Sequence, residues 1–429
     1  MAFLLAVVSV VIGVLVATSA SAQTLTWEET LRRARQHAPV AVAAGQSVRA
    51  ARADAAGAGR WPRANPVVRL GGEYELDTDP SRGYAVGVEQ QFDLAGVASA
   101  SSRQATAHAH AARAFAEVET LDALRQAAEA FIDLDLAQRA FATWTGLAVL
   151  YERMLDATRR TEAAGVTPRQ QTLLATIEQG AVTTELAAAT SEIARARSAL
   201  AVLVGLDDPA GLAATSPDDL PPPDDRTEEA MMAFAVEHRP EFPALRARLD
   251  EARRRATVAQ RSLIPAPTLY FGVRGERAVI DPREVRPSAA GQVESLGSDH
   301  RSILLAADVS FALPVFDRAQ AARARADVDA LTVQENLSIE ARRVRAELGA
   351  ARASVAATRS SYERWRAIGA AVEEATVLAR RGYESGQVGI IDSVVTLERI
   401  TRGRIAQIRS RAEYWRARMA LGRALGVIR

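Results

Sequence analysis

The sequence predicts a mainly α-helical fold with a small β part: long antiparallel helical hairpins plus four strands, arranged as an internal duplication. Two observations carry this. The first is a seam of small or apolar residues spaced four and three apart: Ala123, Ala127, Ala130, Leu134, Ala137, Phe141, Trp144, Ala148, Tyr151, Leu155 and Thr158. It recurs as Val344, Leu348, Ala351, Val355, Thr358, Tyr362, Trp365, Gly369, Val372, Thr376, Ala379 and Tyr383, with Phe141 and Trp144 a constant 221 residues before Tyr362 and Trp365. A 3.5-residue period without proline means long helices whose seams face other helices, and its return marks a repeat. The second is a switch to period two at 67–92 and again at 268–313, the mark of strands.

The chain has 429 residues, a formal net charge of +1 and no cysteine. Disulfides, thiolate metal sites and thiol catalysis are therefore excluded, and the interspersed charge argues against a nucleic-acid partner. Every basic residue other than histidine is arginine. Phe3 to Val16 is almost purely apolar and leads to Ala20-Ser21-Ala22, a cleavage pattern. Residues 1–22 thus read as a secretory signal, although no basic residue precedes the apolar run. No cysteine follows the cleavage point, so no amino-terminal lipid is expected. Past residue 22 no apolar run reaches the ~18 residues a membrane helix needs, so a membrane crossing must use strands.

The first repeat is expected over 23–205 and the second over 227–429. Thr26 and Glu29 form a capping-box pattern, opening a helix that continues past Pro39 to about Gly57; Thr227 opens its counterpart. His37 and His238 mark equivalent helix ends, as caps or dipole partners and not metal ligands. In the first β-hairpin Val68, Leu70, Gly72, Tyr74 and Leu76 face one way, and Arg69, Gly71, Glu73 and Glu75 the other. A turn over 77–83 leads to Tyr84, Val86, Val88 and Phe92, opposite Glu89 and Gln91. In the second hairpin Leu269, Phe271 and Val273 oppose Tyr270, Arg274 and Glu276. After a longer connection over 279–301, Ile303, Leu305, Val309 and Phe311 oppose Asp308 and Ser310. Strands near ten residues, apolar on one face, are the outer-membrane barrel pattern. Val68, Leu70, Tyr74, Tyr84, Val86, Val88, Leu269, Phe271, Ile303 and Leu305 are the lipid-facing positions on this reading. Long helical hairpins are expected over 97–205, turning at Gly165–Pro168, and over 319–426, turning at 384–389. Asp207 to Arg226, with Pro221-Pro222-Pro223, reads as an exposed stiff linker.

Four strands cannot close a barrel, and an open edge inside lipid leaves N–H and C=O groups without partners. Closure needs several copies. Two give eight strands, a barrel filled by side chains; three give twelve strands, with room for a lumen. The arithmetic favours a homotrimer, its long helices forming an α-barrel.

The order of short helix, β-hairpin, long helix, turn and return helix resembles the TolC family of outer-membrane efflux channels across essentially the whole mature chain. The residues that carry the resemblance are Leu31, Pro39, Trp61-Pro62 and Asn65-Pro66 in the first half. In the second they are Pro240, Pro265, Pro314-Val315-Phe316-Asp317 and the stretch from Tyr383 to Asp392. The resemblance implies a trimer with a twelve-stranded barrel in the outer membrane of a Gram-negative bacterium and a helical tunnel across the periplasm. It further implies docking through the helical tips onto a periplasmic adaptor (membrane fusion) protein and an inner-membrane transporter of the proton-driven resistance-nodulation-division type. The short linker, the missing lipidated cysteine and the Pro314–Asp317 run resemble the heavy-metal cation efflux subgroup.

No catalytic constellation, cofactor motif or metal cluster is found, and no enzyme is predicted. His108 and His110 lie two apart on a helix and do not chelate together; His300 stands alone in a loop. The functional candidates are the helical turns, with Gly165 and Val166 on one and Glu384, Gly386, Val388 and Asp392 on the other. They are expected to form the adaptor-docking mouth and gate. Glu384 and Asp392, repeated threefold, suggest an acidic ring that favours cations, with Arg380 and Arg381 beside it in opposition. Two alternatives stand beside metal efflux: a channel of the same architecture for one-step protein secretion or drug export, and a secreted structural coiled-coil protein.

Overall fold

A computed structural model describes residues 23–60, 64–75, 81–216, 224–279, 299–316, 318–385 and 387–428. The signal segment, Trp61-Pro62, Leu76, the triple proline, most of the connection after Val279, Asp317 and Gly386 lie outside the described residues. The chain divides into two compact units, each assembled from parts of both repeats. One comprises Met1–Ser47, Ala114–Pro243 and Ser338–Arg429; the other comprises Val48–Arg113 and Ala244–Leu337.

The first repeat runs β1 (Thr24–Thr26), α1 (Trp27–His37), α2 (Pro39–Ala58), β2 (Val67–Glu75), β3 (Ser81–Gln91), α3 (Val97–Ala163) and α4 (Arg169–Val204). After β4 (Ala213–Thr215) the second runs α5 (Glu228–His238), α6 (Glu241–Arg261), β5 (Thr268–Val279), β6 (Asp299–Ser310), α7 (Gln320–Glu384) and α8 (Ile390–Leu425). At ~1.5 Å per residue the 67 residues of α3 and the 65 of α7 make rods of about 100 Å. Two strands begin earlier than expected: Ser81, Arg82 and Gly83 belong to β3, and Asp299 and His300 to β6.

In the helical unit the seam is inside. Ala123, Ala127, Leu134, Tyr151, Leu155, Val344, Leu348 and Tyr362 are buried, while Trp144 and Trp365 are half-buried. Alanine along the seam lets helices approach closely, because interaxial distance follows the contact side chains. Phe131, Leu134, Leu200 and Val204 gather with Leu25, Leu212 and Ala214 in one cluster. Trp27 meets Phe131 edge-on at 5.5 Å and lies 5.6 Å from Trp415. Thr26 caps α1, its hydroxyl accepting from Glu29 N–H at 3.3 Å. The Glu29 carboxylate does not close a reciprocal box; it takes Arg33 at 2.7 Å and Arg32.

Two expectations are corrected in this unit. The amino-terminal helix does not run through Pro39. It breaks at Ala38, whose ψ of 132° follows from the clash between a proline ring and the residue before it. Nor is 207–226 an exposed strap throughout. Leu212 and Ala214 are buried, and β4 pairs in parallel with β1, matching Leu25 to Ala214. Arg197 donates to the Leu212 carbonyl at 2.8 Å, and the Gln138 amide oxygen accepts from Ala214 N–H at 2.9 Å. Alternating apolar residues with backbone partners on both sides are pulled inward.

Duplication extends to the helix ends. Gly205 and Gly426 cap α4 and α8 with φ of 68° and 83°. A Cβ on Gly205 would stand 2.5 Å from His37 Cβ, and one on Gly426 2.7 Å from Arg239 Cα. Both contacts fall at the junction between two short helices. At the second junction Arg239 is fully buried, bonded to Glu347 at 2.7 Å, Glu241 at 3.1 Å and Glu340 at 3.4 Å. Arg423 joins through Glu241 at 2.6 Å and Asp122 at 2.8 Å. Burial alone would raise the Glu241 and Glu347 carboxyls. Arg239, with Arg423 on the first and Arg343 on the second, outweighs it and holds both below the usual range.

The other unit is a four-stranded antiparallel sheet, order β2-β3-β5-β6, with helical segments packed largely through alanine. Asp93 leads the sheet into α3, accepting from Val97 N–H at 2.9 Å and Ala98 N–H at 2.5 Å. Burial pushes its carboxyl up, and these backbone donors overcome that and hold it low. Glu251 is buried between Arg248 at 2.7 Å and Arg255 at 2.9 Å. His108 Nδ1 lies 3.3 Å from the same carboxylate, within ion-pair reach but not aligned as a hydrogen bond.

Candidate functional site: the sheet face and the helical turns

The register fixes which side chains share a face. Val68 pairs with Val88 and Leu70 with Val86; Val88 then pairs with Phe271 and Val86 with Val273; these meet Ala307 and Leu305. Apolar positions thus run in rows straight across all four strands. Leu70 is 76% exposed and Leu305 81%. Val68, Tyr84, Val86, Val88, Phe271 and Ile303 are also exposed, and Leu269 is half-buried on the same face. Tyr74 takes its register place opposite Arg82, its side chain lying outside the described residues. The other face carries Arg69 bonded to Glu89 at 2.5 Å, Arg274 at 4.0 Å from Glu73, and Asp308. Tyr270 crosses this face within van der Waals contact of the paired Gly87 and Gly272. β2 and β6 each pair on one side only among the described residues. Two edges of N–H and C=O groups therefore stay open.

In the helical unit the two reversals share one construction. The Thr161 carbonyl accepts from the N–H groups of Val166 at 2.9 Å and Thr167 at 3.2 Å. The Gly382 carbonyl, 221 residues on, accepts from Gln387 at 3.0 Å and Val388 at 3.1 Å. Gly165 has φ of 75°, the left-handed conformation that a residue with a Cβ resists. Val166, in this turn, is an apolar side chain 76% exposed. Val388 is also exposed, and Asp392 stands exposed in the first turn of α8, where the helix dipole favours an anion. The side chain of Glu384 lies outside the described residues, as does Gly386, so the acidic pair is described only at Asp392.

The reversals are tied together. Tyr383 donates its hydroxyl to the Met154 carbonyl at 2.9 Å and lies 3.2 Å from the Thr158 hydroxyl. Tyr151 donates to the Val394 carbonyl at 3.4 Å. Burial, with the Glu178 and Glu398 carboxylates nearby, pushes its phenol up to about 12. Beside these tyrosines runs a groove of about 560 Å³ lined by Met154, Thr158, Val166, Tyr383, Val388 and Ile390.

No protein-family model and no curated relative matches the sequence. Solved structures match it along most of its length. A membrane protein from Pseudomonas aeruginosa is 20% identical with a TM-score of 0.71, covering 94% of this chain and 90% of that one. The CmeC outer membrane channel of Campylobacter jejuni is 13% identical with a TM-score of 0.72, covering 93% and 85%. The outer membrane protein VceC of Vibrio cholerae is 17% identical with a TM-score of 0.65, covering 94% and 96%. The chain has the TolC-type fold.

Within that fold, three features were not read from the sequence. The buried Arg239 network sits where the first repeat has the fully buried Ala38, so a charge hides a core position. Leu304, 58% exposed, interrupts the polar face. Arg82, Arg277 and Arg301 fall on the apolar face, in one row. Alternation counted from Tyr84 and Val273 reaches Arg82 and Arg277, which is the signal that could have found them.

Proposed function

We propose that this chain is one subunit of a homotrimeric channel in the outer membrane of a Gram-negative bacterium, a passive conduit from the periplasm to the exterior. The observation that carries the reading is the sheet: one exposed apolar face, one polar face and two open edges. A surface of this kind in water would aggregate through its edges. In lipid the apolar face is solvated by acyl chains, and three copies turn six open edges into three paired seams. The polar face then lines a lumen, where Arg69, Glu73, Glu89, Arg274 and Asp308 keep water in place. A secreted coiled-coil protein has no use for such a sheet.

The helical turns supply the other end. Val166, Val388 and the groove beside Tyr383 offer apolar surface for the hairpin tips of a periplasmic adaptor, and through it a proton-driven inner-membrane pump of the resistance-nodulation-division type. Gly165, Gly386, Glu384 and Asp392 complete this docking and gating region. The cargo class supported by the subgroup resemblance is heavy-metal cations, carried without tight binding, since a conduit that held its cargo would stop flow.

The test is direct. Protein purified from outer membranes should run as a heat-modifiable trimer and open discrete conductances in planar bilayers. A monomer soluble without detergent defeats the proposal. Sensitivity of a deletion strain to zinc, cobalt, cadmium and copper, but not to dyes, supports metal cargo; the reverse pattern assigns drug export.

A further inference from the structure

The internal duplication reaches the packing of the long helices, and one half of that packing has no match within the chain. α4 and α8 differ by 221 residues at both ends, and so do the last residues of α3 and α7. Within the helical unit α3 lies against α8. Ala128 and Ile132 of α3 are buried with Ala412 and Met419 of α8. Along the same contact Asp135 bonds Arg411, Asp133 bonds Arg416 and Asp122 bonds Arg423. In the repeat, α7 is the counterpart of α3 and α4 the counterpart of α8. Shifted by 221 residues, the four buried side chains fall on Gly349 and Ala353 of α7 and on Ser191 and Ser198 of α4. All four of these are exposed.

The exposed positions form rows. On α4, Thr184, Ala187, Ser191, Ala194 and Ser198 recur at spacings of three and four, exposed and uncharged throughout. They are the counterparts of the α8 residues from Ile405 to Met419. On α7, Gly349, Ala353, Ala356 and Ser360 make a second row, also exposed and uncharged. Rows of this period face other helices, and side chains this small let helices approach closely. α4 already buries another row against its own chain, through Ala175, Val182, Ala189 and Ile193. A helix with two such rows has neighbours on two sides.

One occupant fits both faces. A second copy brings its α4 to α7 in the arrangement that α8 already has with α3, and every copy carries one face of each kind. Such a contact is head-to-tail, and in a ring it closes with no face left over. We propose that α7 of each chain packs against α4 of the next copy, Gly349 and Ala353 meeting Ser191 and Ser198. The inference rests on the homotrimer proposed above and names the helices that hold it together. The two related contacts differ in charge. Arg416 has its counterpart in Arg195, but Asp133 is replaced by Ser354, Asp135 by Ala356 and Asp122 by Arg343. The acids that pair α3 with α8 inside one chain thus have no equivalents between copies.

The chain has no cysteine, so introduced thiols report alone. A353C/S191C, purified from membranes as the trimer, is treated with a short bismaleimide and run on denaturing gels. Covalent dimers and trimers should appear, while A353C and S191C alone stay unlinked. G349C/S198C places a second pair on the same two faces, farther from the turns, and keeps the test open if the first variant does not assemble. Ser354→Asp supplies a carboxylate for Arg195 of the next copy. At low ionic strength it should raise the temperature at which the trimer band is lost, and S354D/R195Q should cancel the rise. A trimer whose chains stay unlinked in both cysteine pairs overturns the pairing and leaves the channel standing, as does an S354D shift that is absent or survives R195Q. Failure of the wild type to form any trimer overturns the channel reading and this one with it.

Discussion

Tyr383 Oη donates to the Met154 carbonyl oxygen at 2.9 Å, a bond between two long helical hairpins that also meet here through Tyr151, the Thr158 hydroxyl and apolar contact. Phe at 383 keeps the ring and loses the bond, leaving a half-buried carbonyl and the Thr158 hydroxyl without this partner. The expected cost is about 1 kcal/mol, felt locally. Hydrogen exchange should quicken around 150–160 and 383–398 in Tyr383→Phe. A double-mutant cycle with Thr158→Val should show coupling, because the two hydroxyls share one neighbourhood.

Tyr151 gives a signal that can be isolated. The chain has seven tyrosines and no lysine or cysteine, so tyrosine phenols dominate titration between about pH 9 and 12. A phenol held at about 12 in the fold and near 10 when unfolded keeps its proton longer in the native state. Its contribution is intact below about pH 10 and is lost as pH rises toward 12, because the unfolded chain ionises first. Absorbance at alkaline pH should show one late phenol that disappears in Tyr151→Phe. That variant should also lose less stability across this window than the wild type. A wild-type titration complete near pH 10 contradicts the burial.

Acid should attack the Arg239 network. Glu241 and Glu347 are held below their ordinary range, so the stability they contribute is present above about pH 4.5 and falls away as pH drops through their folded values. Arg239→Ala removes the shared guanidinium and strands buried carboxylates, at a cost of about 3–5 kcal/mol. Arg239→Met fills more of the space but still leaves the acids unpaired. In both variants those carboxyls should titrate higher, so their stability deficit relative to the wild type, followed by circular dichroism, should be largest at neutral pH and shrink as pH falls below about 4.5.

The two sheet faces should tolerate charge differently. Val86→Arg puts a guanidinium in the middle of the apolar band, at about 2–4 kcal/mol, and should reduce heat-modifiable trimer in membranes. Ala85→Arg, one residue away on the polar face beside Arg274, should assemble and alter conductance or ion selectivity instead. Equal loss of trimer in both would contradict the assignment of faces.

Much of this architecture was legible because its signals are long. A seam kept for eleven contacts and bounded by Gly165, Pro168 and Gly389 can hardly be mistaken for anything but helix, and a two-residue alternation over ten residues sets a strand's faces. The pairing of β1 with β4 was not legible, since three-residue strands carry no periodicity and depend on a partner nearly two hundred residues away. Nor was the burial of Arg239, where composition argues for the surface and only the three carboxylates brought by the fold argue otherwise. At the first turn the positive φ of Gly165 accords with its residue type, but the sharing of one carbonyl by two N–H groups depends on backbone geometry that no residue type announces.

Two glycines of the first long hairpin should respond to alanine with opposite sign. Gly180 lies inside α4, and a Cβ there meets nothing within 4 Å. Alanine should stabilise it by about 1 kcal/mol, through backbone freedom removed from the unfolded chain. Gly165 also has open space around it, yet its φ of 75° belongs to the left-handed region. Alanine there should cost about 1–2 kcal/mol or force the turn to rearrange, breaking the paired bonds from Val166 and Thr167 to Thr161. Thermal unfolding of the two variants, with exchange rates at Val166 and Thr167, separates conformation from space. Stabilisation by alanine at both positions would show that the turn at Gly165 is not the one described.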